Sequence, residues 1–94
     1  MQDIVLEFIE TLRNKKYANN SISSHKQDLK KFFKWFNIEE ENADNKILFD
    51  LLRKLQQSDI EEYIIFLGKT YKPRTLARHI SSLKLFLNLL DNLV

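Results

Sequence analysis

Arg74, Thr75, Arg78, Ser81, Ser82 and Lys84 fall within one short stretch near the end of a 94-residue chain. At 100° per residue, Arg74, Arg78, Ser81 and Ser82 lie opposite Leu76, Ile80, Leu83, Leu87 and Leu90, which form a single apolar stripe. No Asp or Glu occurs between Glu62 and Asp91, whereas Lys69, Lys72, Arg74, Arg78 and Lys84 all fall in that interval. A flank of cations and small hydroxyls without a carboxylate suits a polyanion. Arg and Lys neutralise phosphates, and Arg can donate two parallel hydrogen bonds to a phosphate or to guanine. Arg74 and Thr75, just after Pro73, would add the free amides and the positive dipole end of a first helical turn.

Other chemistry is poorly supplied. His25 and His79 stand on separate helical stretches, the chain has no Cys, and no carboxylate cluster has ligand spacing. No metal site is expected, and both histidines read as half-buried packing residues. A single Gly leaves no loop to cradle a phosphate. Tyr17, Tyr63 and Tyr71 lack the Arg and His neighbours of an activated phenol. Neither a catalytic residue nor a cofactor is expected.

The elements that would position the basic flank follow from periodicity. One Gly and one Pro leave few tight turns, and the Leu, Ile, Lys and Glu content favours helices, so the expected class is all-α: four main helices plus a possible short extra one, in one domain over 1–94. Residues 3–16 carry Ile4 or Val5, Phe8, Ile9 and Leu12 at helical spacing, with Asp3 to cap and basic residues closing the last turn. Ser21 then reads as the N-cap of a helix whose stripe is Ile22, Leu29, Phe33 and Phe36, bordered by His25 and Phe32. Its far side holds Ser23, Ser24, Gln27, Lys31 and Lys34, with Asp28 the sole acid. Residues 37–45 are polar and acidic and suit a loop or an extended connection, and 46–55 suit a short helix or, with their dense leucines, a buried irregular link. Ser58 and Asp59 are capping candidates for a helix in SDIEEYIIFLGK that stops near Gly68, the residue type expected just past a helix end.

The long helix over 72–90 changes character after Leu83, where Leu85 and Leu89 make it apolar nearly all round. It must be covered on two sides, by the opening helix or by something outside this chain. Charge is also segregated: residues 1–36 hold seven Lys/Arg and four Asp/Glu, 37–62 three and eight, and 63–94 five and one. A fold that joins the two flanks would have a basic side and an acidic side. The absence of Cys, of a membrane-length apolar run and of a signal-peptide pattern leads us to expect a soluble, cytoplasmic chain.

Two strings then acquire a family. The run from Ser21, SISSHKQDLKKF, and the later run RTLARHISSLKLF resemble the N-terminal core-binding domain of tyrosine recombinases and integrases, closest to the Xer and phage-integrase type. The family pattern is a small hydroxyl residue opening the second helix, Asp-Leu and an aromatic, then a short helix begun by an acidic pair. It closes with Thr, an Arg three on, a Ser three further and a basic residue near an aromatic. Ser21, Asp28-Leu29, Phe32 or Phe33, Ser58-Asp59-Ile60, Thr75, Arg78, Ser81, Lys84 and Phe86 supply it. His25 stands where an aromatic is common, and the acidic stretch before Ser58 is long.

The resemblance implies a SAM-like helical bundle forming half of a clamp around duplex DNA at a recombination half-site. Carried over by position, Ser21, Ser23, Ser24 and Gln27 of the second helix, and Arg74, Thr75, Arg78, Ser81, Ser82 and Lys84 of the last, would face the DNA. It also implies a separate C-terminal catalytic domain, absent after Val94, and contacts with neighbouring recombinase protomers in the DNA-bound assembly. The domain alone would be monomeric or weakly self-associating. A competing expectation is a protein-interaction bundle that docks a partner through Leu85, Leu89 and Leu93.

Overall fold

Apolar residues recurring every three or four positions produce four long helices among the described residues. The computed structural model describes residues 3–38, 50 and 52–93. Helix α1 spans Asp3–Asn14, α2 Asn19–Trp35, α3 Gln57–Thr70 and α4 Pro73–Leu93. No strand occurs among the described residues, in keeping with the all-α expectation. None of these helices is long and apolar enough to cross a membrane. The acidic loop lies outside the described residues except for Asn37 and Ile38. So does half of the short helix expected over 46–55, although Asp50, Leu52 and Arg53 within it are helical.

The first two helices end by the same device. Lys16 and Asn37 both adopt positive φ, 64° and 56°. Around Lys16, the Tyr17 amide donates to Leu12 and the Lys16 amide to Arg13; around Asn37, Ile38 donates to Phe33 and Asn37 to Lys34. These are Schellman caps, which satisfy the last carbonyls of a helix and reverse the chain. Asn tolerates that left-handed backbone, whereas Lys occupies it at a cost.

Three local expectations need correction. Helix α2 begins at Asn19, one turn sooner than expected, with extended Ala18 as its N-cap residue and no capping side chain; Ser21 is therefore inside the first turn. The N-cap of α3 is Gln56, whose amide donates to Asp59 Oδ2 at 2.8 Å. Asp59 thus works from the third helical position, and Ser58 does not cap. Helix α3 stops near Gly68, at Thr70, but Gly68 lies inside it and adopts no positive φ, so it is not the left-handed residue past the helix end. The chain leaves the helix at Tyr71, whose backbone is extended, with φ −118° and ψ 156°.

Phe32, fully buried, sits at the centre of the core, with Phe36, Tyr63 and Phe86 packed around it at ring distances of 4.9, 5.6 and 6.5 Å. Val5, Phe8, Ile9 and Leu12 of α1 close one side, and Phe8 meets Phe86 edge-on at 5.8 Å. Leu85 and Leu89 of α4 are half-buried against this core. The apolar end of α4 is therefore covered from within, at least at these two positions. Helix α2 makes its most extensive packing with α4, while α3 also lies on α4 and α1 on α2.

Candidate nucleic-acid interface

The seam between α2 and α4 is held by a polar cluster that the periodicity of neither helix announces. Asp28 projects from α2 and is only 3% exposed. Arg78 of α4 donates to it from Nε at 3.0 Å and Nη2 at 2.8 Å, and Ser82, one turn further along α4, donates from Oγ at 2.7 Å. His79 Nε2 lies 3.4 Å from Asp28 Oδ1. A buried carboxylate is tolerated because these donors replace its lost water.

His25 completes the cluster with Nδ1 2.6 Å from Ser82 Oγ. The hydroxyl has one proton, and a carboxylate can only accept. Ser82 therefore gives its proton to Asp28 and accepts from His25 Nδ1–H, which makes Nδ1 a protonated ring nitrogen. Burial lowers the pKa of both His25 and His79, against an opposing pull from Asp28, and the Arg78 charge lowers them further. Hydrogen bonding to Asp28 raises Arg78 above its usual value. Edge-on Tyr17 covers His25 at 5.9 Å, and Tyr71 stacks on His79 at 4.9 Å. The trio of Ser, His and Asp is no nucleophilic site, because the Ser82 hydroxyl is 1% exposed and its proton points at the carboxylate.

Above this cluster the seam opens into two adjoining grooves that share His25 and Arg78. One, of about 190 Å³, is lined by Asn20, Ser21, Ser24, His25 and Arg78. The other, of about 440 Å³, is lined by Tyr17, His25, Arg78, Ser81, Lys84 and Leu85. Five residues expected from sequence thus meet there: Ser21 and Ser24 from α2, and Arg78, Ser81 and Lys84 from α4. Ser23 and Gln27 are exposed on α2, Arg74 is exposed and Thr75 half-buried at the start of α4, and none of these four lines either groove.

Ser82 is a correction. It was expected on the outer flank, yet it is buried and serves Asp28. Asp28, placed by its helix on the wet side, is likewise internal. The reason is a rotation of α4. Its buried residues, His79, Ser82, Leu83, Phe86 and Leu90, centre roughly 60° from the apolar stripe at 100° per residue. That turn brings Ser82 and His79 to Asp28 and leaves Leu76, Ile80 and Leu87 half-buried. Arg78 commits two of its N–H groups to Asp28, and its side chain remains 43% exposed above the cluster.

The resulting surface has a consistent sign. The single carboxylate of α2 is buried under Arg78, and α4 has no acid before Asp91. Among the described residues no group of three or more His, Cys, Asp or Glu could hold a metal ion. Tyr17, His25 and Asn20 line the grooves although sequence reasoning had not placed them there; their only signal was proximity to Ser21 in the chain.

A "Tyrosine recombinase" of Thermosipho africanus (strain TCF52B) is 26% identical over 92 residues, which is 97% of this chain and 30% of that relative. The chain therefore spans less than a third of the relative's length. No solved structure matches. The family model described as "Phage integrase, N-terminal SAM-like domain" matches residues 5–91. That match takes in both helices of the seam and nearly all of the core, so the chain belongs to the phage integrase N-terminal SAM-like domain family.

Proposed function

We propose that residues 1–94 form a single duplex-DNA-binding domain of a site-specific tyrosine recombinase, of the Xer and phage-integrase type, and that it grips a recombination half-site through the outer faces of α2 and α4. The observation that carries this reading is the joint surface. Ser21 and Ser24 from one helix meet Arg78, Ser81 and Lys84 from the other, with no carboxylate among the described residues lining either groove. Cations position phosphates, and hydroxyls donate to them without competing charge. Exposed Ser23, Gln27, Arg74 and half-buried Thr75 extend that surface along both helices. Strand cleavage belongs to a separate domain of the whole recombinase, which acts in the cytoplasm with neighbouring protomers on the same DNA.

The test is duplex binding as a function of salt. Affinity falls steeply as salt rises, because each neutralised phosphate contributes about 0.9 to the log–log slope. Arg74→Gln and Lys84→Gln each reduce the slope by about that amount. Both side chains are exposed, and neither joins the Asp28 cluster, so the fold is unaffected. Duplex binding that ignores salt, or slopes unchanged in both variants, would refute the assigned face.

A further inference from the structure

Beyond the two grooves, α2 ends in an aromatic surface that duplex binding does not use. Trp35 is 41% exposed, and its ring stacks on Phe66 of α3 at 4.5 Å with an interplanar angle of 27°. Tyr63 lies behind both, 5.6 Å from Trp35. Lys31 holds its ammonium 5.9 Å from the Phe66 ring and 5.1 Å from the Tyr71 ring. Together Lys31, Lys34, Trp35, Tyr63 and Phe66 line a cleft of about 330 Å³, with no carboxylate among the described residues that line it. Seven and eleven residues after Ser24, Lys31 and Trp35 return to within about 20° of its direction on α2. The cleft is thus the continuation of the Ser24 stripe, about 16 Å further along the axis.

We propose that this cleft receives an unpaired nucleobase, stacked on Trp35, with Lys31 and Lys34 on its flanking phosphates. The inference rests on the reading that the outer face of α2 lies against nucleic acid. A paired base has both faces covered by its neighbours, so only a strand end, a single strand or an extruded base can use a stacking platform. Every base has a π-face, so the platform takes any of them. The cleft's size decides against an amphipathic peptide helix, which needs a long groove for anchors at successive turns, whereas this volume is at the small end of the range for small-molecule sites. Two lysines beside the rings supply the charge that a free base lacks and a nucleotide needs.

Trp35 is the sole tryptophan of the chain, so its fluorescence reports on this cleft alone. Titration with a short oligothymidylate is expected to quench it saturably at low salt, while heparin, a polyanion without bases, does not. Trp35→Ala, followed by anisotropy of labelled oligothymidylate, lowers affinity about five- to hundredfold. Trp35→Phe, which keeps an aromatic ring on Phe66, retains most of it and guards against a merely unfolded Ala variant. Equal quenching by heparin, absence of saturable quenching, or unchanged affinity in Trp35→Ala overturns the proposal. Quenching by an acidic peptide but not by oligothymidylate overturns it in favour of a protein partner. A blunt duplex separates the two readings. Salt-dependent duplex binding without quenching by oligothymidylate leaves the seam standing and removes the cleft, and the reverse pattern removes the seam alone.

Discussion

Arg78 on α4 and Asp28 on α2, fifty residues apart, face each other as a bidentate pair, Nε to Oδ2 and Nη2 to Oδ1. The pair ties together the two helices proposed to face DNA. Arg78 is therefore a structural residue as well as a surface cation, which changes what its removal means. Arg78→Ala strands a carboxylate that is 3% exposed. Breaking a buried pair from one side costs about 3–5 kcal/mol, which we reduce to about 2 kcal/mol because the Arg78 side chain is 43% exposed. For a domain of this size that corresponds to a fall of roughly 10 °C in melting temperature. A thermal melt indistinguishable from the parent would contradict it, and loss of DNA binding in this variant is interpretable only beside that melt.

Ser82→Ala separates the buried cluster from the surface. The substitution removes one donor from Asp28 and the acceptor of His25 Nδ1–H. An unsatisfied buried group costs about 1–3 kcal/mol, so chemical denaturation should show a loss in that range. Duplex affinity measured well below the melting temperature should stay at the parent value. A selective loss of affinity with parental stability would return Ser82 to the DNA-facing set.

Stability should also depend on mildly acidic pH through the two histidines. Both have folded-state pKa values lowered by burial, so the unfolded chain binds more protons below its ordinary histidine pKa of about 6.5. Their contribution is therefore complete above about pH 6.5 and is lost as pH falls towards the lower folded values. Each histidine limits the slope to about 1.4 kcal/mol per pH unit. Urea unfolding followed from neutral pH downwards reads this directly. A midpoint that rises as pH falls below 6.5 would show that Asp28 outweighs burial.

Lys16→Gly is a stabilising change. Lys16 holds φ of 64° at the end of α1 while its neighbours complete the Schellman bonds. Glycine adopts that backbone without the Cβ penalty, so a gain of about 0.5–1 kcal/mol is expected, along with a melting temperature a few degrees higher. Lys16 is exposed, so little packing offsets the gain. A lower melting temperature would mean that its side chain contributes more than its backbone costs.

The four main helices, the apolar residues of α1 and most of the α2 stripe were legible in sequence, because hydrophobic spacing is a local property that each helix carries by itself. The acid-free run before Asp91 was legible for the same reason, and so was the family, whose pattern is written in residue types at fixed separations. Local chemistry was a poorer guide to boundaries. Ser21 and Gly68 are good cap residues in isolation, yet α2 starts before Ser21 and α3 runs past Gly68. Extended backbone at Ala18 and at Tyr71 marks those ends instead.

The tertiary structure alone decided how α4 is rotated, and hence which hydroxyl is inside. Periodicity places Ser82 with Arg78 and Ser81 because all three are polar, and it places Asp28 with the lysines of α2. Once the helices pack, the carboxylate needs donors, and only a turn of α4 towards Asp28 supplies Arg78, Ser82 and His79 at once. Satisfying a buried charge outweighs keeping the apolar stripe centred, and that preference has no signature in either helix taken alone. It arises between residues about fifty positions apart, where only the folded chain brings donor and acceptor together.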